Sequence, residues 1–265
     1  MGKVNARNEK RRLENKLKYE GFRFETVTGI CEVIEYINNE SVRVRFVNTG
    51  YEKEVWLKHV KIGNIRDCTA PTLYGVGIVG ETHLKTKGKD AKEYILWRNM
   101  LKRCYDTNSK KEFPSYDLAA TTENFKYFVK FIAWCEKQVG FNCKDAKGKP
   151  FQLDKDILIK GNKLYSEDTC CFVPAEINTL FTKNDKRRGD YPVGVSFNKS
   201  KGRFESYCCS NTSRYLGSYD TVEEAFIAYK HAKEAYVKEL ANKWKDQIDP
   251  RAYEALMKYQ VEITD

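Results

Sequence analysis

The spacing of apolar and polar positions along the chain changes three times. From Gly21 to about Gly80 the period is two. Ile30-Cys31-Glu32-Val33-Ile34-Glu35-Tyr36 runs into the turn residues Asn38-Asn39, and Val42-Arg43-Val44-Arg45-Phe46 alternates strictly. Asn48-Thr49-Gly50 then turns, and Glu54-Val55-Trp56-Leu57 begins another strand. Such alternation marks half-buried strands, with Asn and Gly marking the turns between them. Several short strands in so short a segment predict a small antiparallel β-barrel, roughly SH3-like. Arg43 and Arg45 fall on the face opposite Val42, Val44 and Phe46, where they serve either a solvated surface or an accessory nucleic-acid contact.

A helical period takes over after Gly88-Lys89-Asp90. Tyr94, Trp97, Leu101 and Cys104 form one stripe, and a second helix after Thr121-Thr122 places Phe125, Phe128, Ile132 and Cys135 together. These stripes read as core surfaces. Gly75-Val76-Gly77-Ile78-Val79-Gly80 has the glycines of a phosphate loop. It lacks the helix start and the Lys-Ser/Thr pair, so it reads as a linker at a strand end.

Leu153–Phe181 reads as a short strand ending in acidic residues, a Gly161-Asn162 turn, a second strand Cys171-Phe172-Val173 and a helix opened by Pro174. A unit this small cannot form its own core and must lean on neighbours. Asp154 and Asp156 either serve chemistry or stabilise the turn that follows. Beyond a basic linker, Lys183–Arg188, residues Tyr191–Ala241 read as three strands and a helix. Val193–Phe197, Arg203–Cys209 and Arg214–Tyr219 are the strands. Thr221-Val222-Glu223-Glu224 is a capping box, and Ala225, Ala228, Ala232 and Ala235 give the helix a small-residue face for the sheet. Asp249-Pro250 opens a last short helix with Ala252, Leu256 and Tyr259 on its apolar side.

Composition narrows the function classes. With 41% hydrophobic and 13% aromatic residues the 265-residue chain can build packed cores. Its net charge of +10 comes from 47 Lys+Arg against 37 Asp+Glu, a balance typical of polyanion binders. The excess is local. Lys183, Lys186, Arg187, Arg188, Lys199, Lys201, Arg203 and Arg214 face only Asp185, Asp190 and Glu205 in the same stretch, and residues 1–20 form a basic, helical arm. The nine cysteines include the adjacent pairs Cys170-Cys171 and Cys208-Cys209, which on strands point to opposite faces. With no Cys-x-x-Cys spacing, they read as reduced core thiols rather than disulfides or a zinc site. The charged N-terminus has no apolar run behind it, and no stretch approaches bilayer length. A soluble, intracellular protein without a membrane partner is expected.

The order and spacing of Leu153-Asp154-Lys155, Asp168-Thr169-Cys170 and Glu176-Ile177-Asn178 resemble the ββα-metal motif of HNH endonucleases, in the form carried by phage homing-type enzymes. Trp97-x-x-Met100-x-x-Arg103-Cys104-Tyr105, Ser115-Tyr116 and Phe125-x-x-Phe128 resemble the segment preceding that motif. Val44-Arg45-Phe46, Thr49-Gly50-Tyr51 and Gly63-x-x-x-Asp67 resemble the module with which such proteins begin. The resemblance implies catalytic roles for Asp154, Lys155 and Asn178, with Asp154 and Asn178 holding Mg2+ or a similar ion. Lys155 stands where the family has its general-base histidine, and Thr169 stands where it has asparagine. A lysine is a better phosphate contact than a base at neutral pH.

Gly194-Val195-Ser196, Leu216-Gly217-Ser218-Tyr219-Asp220-Thr221, and Glu223-Glu224-Ala225 with Ala228-Tyr229 resemble the AP2 (integrase-type) DNA-binding domain. That family lays a three-stranded sheet in the major groove, which accepts a sheet as well as a helix. The residues this implies for DNA contact are Ser196, Asn198, Lys199, Lys201, Arg203, Ser206 and Arg214, with Lys186, Arg187 and Arg188 on phosphates.

Together these features predict an α+β chain in modules: a basic arm (1–20), a β-barrel (21–80), an HNH-like ββα domain (81–182) and an AP2-like domain with a C-terminal helix (190–265). The expected function is sequence-specific binding of double-stranded DNA in a bacterial host cytoplasm by a phage- or mobile-element-encoded protein. It either cleaves DNA with a divalent ion or, as a silent relative, acts as a repressor, for which a homodimer would suit. Structured RNA is a weaker alternative partner.

Overall fold

A computed structural model describes residues 2–82, 85–86, 89–181, 190–209 and 213–264. The chain is mixed α+β and divides into two compact units, Met1–Asp117 with Glu123–Phe131, and Leu118–Thr122 with Ile132–Asp265. The basic linker residues Lys186, Arg187 and Arg188 lie outside the described residues.

In the first unit, helix α1 (Gly2–Tyr19) precedes the antiparallel strands β1 (Arg23–Thr26), β2 (Gly29–Asn38), β3 (Ser41–Phe46) and β4 (Glu52–Val55). The alternation in β3 buries Val42, Val44 and Phe46 with Cys31, Val33, Tyr36, Leu57, Val60 and Ile65. The strand order β1-β2-β3-β4 leaves β1 and β4 as edges, so the expected barrel is an open four-stranded sheet. Leu57, expected in a strand, instead starts the short helix α2 (Leu57–Lys61), whose N-cap is Trp56. On the outer face the strand pairing sets Arg43 2.8 Å from Glu35 and Arg45 2.6 Å from Glu52. Opposite charges in adjacent strands pair across the sheet, and these two arginines are therefore matched within the protein.

The short pair β5 (Lys85–Thr86) and β6 (Lys89–Asp90) precedes α3 (Lys92–Tyr105), which buries Trp97, Met100, Leu101 and Cys104. Helix α4 (Thr107–Glu112) follows, capped by Asp106, whose carboxylate accepts from the Ser109 N–H at 3.0 Å. The single helix expected after Thr122 is two pieces, a 3-10 turn at Asn124–Lys126 and α5 (Phe128–Cys135). Tyr127 between them is extended and bridges Ile78, whose N–H donates to the Lys126 carbonyl and whose carbonyl accepts from Phe128. The glycine-rich stretch is thus more than a linker. Tyr74 and Gly75 turn it with φ of 51° and 72°, bringing Leu73 against Gly77.

In the second unit, β7 (Ala120–Thr121) pairs parallel with β9 (Leu164–Tyr165), and β8 (Gln152–Asp154) pairs antiparallel with β10 (Cys171–Val173). Pro174 caps a single-turn helix, α6 (Ala175–Asn178), continued by a 3-10 turn at Thr179–Phe181. The expected strand, turn, second strand and helix are present, with the short strand β9 as an addition between the turn and β10. Further on, β11 (Val195–Asn198), β12 (Arg203–Cys209) and β13 (Ser213–Tyr219) form an antiparallel sheet in that order, backed by α7 (Val222–Trp244) and followed by α8 (Pro250–Met257). Thr221 Oγ1 accepts from the Glu224 N–H at 3.2 Å, and the Asp249 carboxylate accepts from the Arg251 N–H at 2.8 Å, fixing the two helix starts.

The buried face of α7 runs through Ala225, Phe226, Tyr229, Lys233, Val237, Leu240, Ala241 and Trp244, while Ala235 is exposed. The large side chains rather than the alanine series define the packing face. The ββα segment leans on this helix. Phe151 meets Trp244 edge-on at 5.4 Å, Lys233 Nζ donates to the Leu180 carbonyl at 3.0 Å, and Glu176 accepts from Lys243 at 2.6 Å and from the Trp244 indole N–H.

Candidate functional site

Two polar regions of the second unit carry the residues singled out from the sequence. In the ββα segment, Asp154 ends β8 opposite Cys171 and is buried. One of its carboxylate oxygens accepts the backbone N–H groups of Asp156 and Ile157, both at 2.8 Å. Burial, and after it the neighbouring Asp156 charge, push its pKa up to about 6, against the pull of those two N–H bonds. Lys155 Nζ lies 3.1 Å from Asp156 Oδ2 and over the Tyr165 ring. Asn162 donates to the carbonyls of Lys155 and Leu164, both at 2.7 Å, and Thr169 donates to Leu164 at 2.8 Å. The loop is knitted by its own polar side chains.

Asn178, at the end of α6, donates 2.6 Å to the Gln152 side chain, two residues before Asp154 on the same strand. A divalent ion held between Asp154 and Asn178 would need both side chains to converge on it. As folded, one Asp154 oxygen serves the backbone and the Asn178 amide N–H is engaged by Gln152, which leaves the other Asp154 oxygen and the Asn178 amide oxygen as the atoms that would hold an ion. Among the described residues no group of three or more His, Cys, Asp or Glu side chains forms a metal-ligand cluster. The buried thiols of Cys170 and Cys171 are pushed up by desolvation, to about 12 for Cys170, which keeps them protonated packing groups.

The three-stranded sheet turns its polar side chains the other way. Register pairs Val195 with Ser206 and Ser206 with Gly217, and it pairs Ser196 with Glu205 and Glu205 with Ser218. Directly opposite residues share a face. Val195, Ser206 and Cys208 therefore face α7, where Cys208 packs with Phe226 and Tyr229. Ser196, Asn198, Arg203, Glu205 and Tyr207 face outward. Gly194 (φ 81°) lies so close to the Tyr229 ring that an added Cβ would come within 2.0 Å of it. Gly194 and Tyr229 thus meet across the sheet–helix seam.

Glu205 sits at the centre of the outer face with its side chain only 8% exposed. It accepts from Lys201 at 2.9 Å, Asn198 at 3.0 Å and Tyr207 at 2.9 Å. Hydrogen bonds from Lys201 and Tyr207 hold its carboxyl below the usual range. Tyr207 packs on Tyr215 at 5.3 Å, and Lys201 lies 6.0 Å over the same Tyr215 ring. Arg203 pairs with Asp220 at 2.9 Å. Lys199 is exposed in the β11–β12 turn.

Two expected contacts fall elsewhere. Ser206 is fully buried beneath α7, and its hydroxyl has no hydrogen-bond partner. It belongs to the seam and not to the outer surface. Arg214 is exposed, but the register sets it opposite Cys208, on the helix side. A β-bulge is the cause: Ser206 pairs with Gly217 and Tyr207 with Tyr215, so Leu216 is an extra residue that reverses the alternation before it. Tyr215 takes the outward place instead. Simple alternation along β12 would have found Tyr207, two residues beyond Glu205. Compared with known proteins, the chain matches no family model, no curated protein and no solved structure.

Proposed function

We propose that the chain binds duplex DNA sequence-specifically through the outer face of the β11–β13 sheet. The observation that carries the reading is the outward cluster of Ser196, Asn198, Lys201, Arg203, Tyr207 and Tyr215 around Glu205, on a sheet made rigid by α7. A three-stranded sheet fits the width of the major groove, Asn and Arg donate to purine edges, and lysines set the register on phosphates. The local basic excess supports the same partner. Selection from a randomised duplex pool with the full chain should enrich one motif, and Arg203→Ala should weaken binding to it about tenfold, the effect of one lost base contact. Equal affinity for all duplexes would refute the proposal.

For the ββα segment, binding without cleavage, as in a repressor, has the better support. Lys155, which stands where the HNH resemblance has its general base, is a poor base and is paired with Asp156. The competing reading, metal-dependent cleavage of the kind the HNH resemblance implies, predicts a different result with the selected duplex. Incubated with Mg2+ or Mn2+, that duplex would be cut by the native chain and left whole by Asp154→Asn. An intact duplex with both proteins supports the repressor.

A further inference from the structure

The first unit holds a second surface suited to nucleic acid, away from the arginines that sequence alternation singles out. Its four-stranded sheet sorts charge by face. Glu52 and Glu54 on β4 lie opposite Arg45 and Arg43, and the two-residue period turns Lys53 and Val55 to the other side. On the first face the cations are matched, Arg23 to Glu32, Arg43 to Glu35 and Arg45 to Glu52. The other face is the core face, and at its open edge Lys53, with Lys58 of α2 and Arg66 of the loop that follows, has no carboxylate in ion-pair contact among the described residues.

These cations surround an aromatic ring. A shallow, open depression of about 470 Å3 is lined by Lys53, Val55, Trp56, His59, Asn64, Ile65 and Arg66. Trp56 is 45% exposed, whereas Trp97 and Trp244 are buried. Lys58 Nζ lies 4.0 Å from the Trp56 ring centroid, and the His59 ring lies 6.3 Å away. An exposed indole among unmatched cations is the combination that holds unpaired nucleotide strands: the ring stacks on a base face, and the cations track the backbone. Tryptophan and lysine also occur at lipid surfaces, but there they lie along an extended amphipathic face. Here α2 turns its own apolar residues Leu57 and Val60 into the core, so no such face is left for a bilayer.

We propose that this depression holds an unpaired DNA strand, with a base against Trp56 and the flanking phosphates on Lys53, Lys58 and Arg66. The choice of DNA rests on the duplex-binding function proposed above, but the stacking site does not.

The test is titration of the full chain with a short oligothymidylate, followed by tryptophan fluorescence. Saturable quenching is expected. Trp56→Ala should abolish most of the quench and weaken binding about tenfold, the effect of one lost stacked base. The double variant Lys53→Ala, Arg66→Ala should keep the quench, weaken binding and flatten its salt dependence by up to about 1.4 in log–log slope. Both of its positions are exposed, so its melting temperature should match the native chain. Arg203→Ala should weaken duplex binding while leaving the oligothymidylate titration unchanged. If duplex selection fails and this titration succeeds, the sheet proposal falls and the stacking site stands. The stacking-site proposal is overturned by absent quenching, by native affinity in Trp56→Ala, or by loss of oligothymidylate binding in Arg203→Ala. Preferential binding of oligouridylate or of anionic phospholipid vesicles would also overturn it.

Discussion

The β8–β10 pair and the β11–β13 sheet lie in the same compact unit and use polar side chains in opposite ways. In the first, Asp154 is turned inward onto backbone N–H groups, and Asn162 and Thr169 close the same loop. In the second, apolar residues and Gly194 seat the sheet on α7, and the outward Asn198, Arg203, Glu205 and Tyr207 pair at the surface with one another or with Lys201 and Asp220. A polar group that satisfies the local backbone rigidifies the loop and has less left for a ligand. Asn198 also serves its own turn, accepting from the Ser200 and Lys201 N–H groups, but Lys201, Arg203 and Tyr207 are held by other side chains, which a ligand can replace. The contrast favours recognition by the sheet over chemistry at the ββα segment.

The contrast breaks most completely if the seam is lost. Gly194→Ala puts a methyl at a φ of 81° and within 2.0 Å of the Tyr229 ring, which is buried in the cluster between sheet and helix. A cost of about 3 kcal/mol or more is expected, visible as a lower urea midpoint together with loss of duplex binding. A loss below about 0.5 kcal/mol would mean that the sheet is not seated as described.

The inward side of the contrast is tested through pH. The Asp154 pKa of about 6 lies above the ordinary carboxylate value of about 3.9 expected when unfolded. The folded state therefore binds the proton more tightly. This contribution to stability is complete below about pH 3.9 and is lost as pH rises through about 6. Asp154→Asn keeps the oxygen that accepts from Asp156 and Ile157 but carries no charge. It should exceed the native protein by about 2–3 kcal/mol at pH 8, with the advantage shrinking toward pH 4, as read from chemical denaturation at each pH. A constant difference across that range would show that burial does not penalise the Asp154 charge.

On the outward side, the bulge at Leu216 makes a sharper forecast than charge alone. Arg203→Ala and Arg214→Ala each remove one positive charge from the same sheet. Only Arg203 shares the face of Glu205 and Tyr207. Affinity for a selected duplex should fall by about 1.4 kcal/mol for Arg203→Ala and by less than about 0.5 kcal/mol for Arg214→Ala, the effect of a distant surface charge. Equal losses, measured by fluorescence anisotropy at fixed salt, would place the bound DNA elsewhere.

Much of this was legible in the residues. Strict alternation in Val42–Phe46 marked the buried side of β3, Thr221 marked the start of α7, and the order of elements in Leu153–Phe181 was readable from its turn residues. What escaped reading depends on contacts that pattern does not encode. An apolar stripe through Phe125 and Phe128 gives no sign that Tyr127 leaves the helix to bridge Ile78. Nothing in the strands β1 to β4 announces whether the first and last meet. The alanines of α7 suggested a flat face, but Phe226, Tyr229 and Val237 bury more area and so decide it. Plain alternation along β13 puts Arg214 on the outward face, whereas a single extra residue reverses the face of everything before it, and a count of charges gives no sign that Glu205 is the centre of a network.

That centre supplies the smallest and most discriminating test. Glu205 is an anion on a face proposed to meet phosphates, so its removal changes the field as well as the geometry. Glu205→Gln keeps an oxygen to accept from Tyr207 or Asn198 but releases the Lys201 ammonium from its ion pair. Lys201 then becomes available to a phosphate. Binding to unselected duplex should strengthen a few-fold, and its log–log salt slope should steepen by about 0.9, the value for one added phosphate contact. Affinity for the selected sequence should gain less, because Lys201, Asn198 and Tyr207 lose the group that orients them. The ratio of selected to unselected affinity therefore falls even as total binding rises. If both affinities rise together, Glu205 acts only as a charge on the sheet; if both fall, its carboxylate is needed to hold the face in shape.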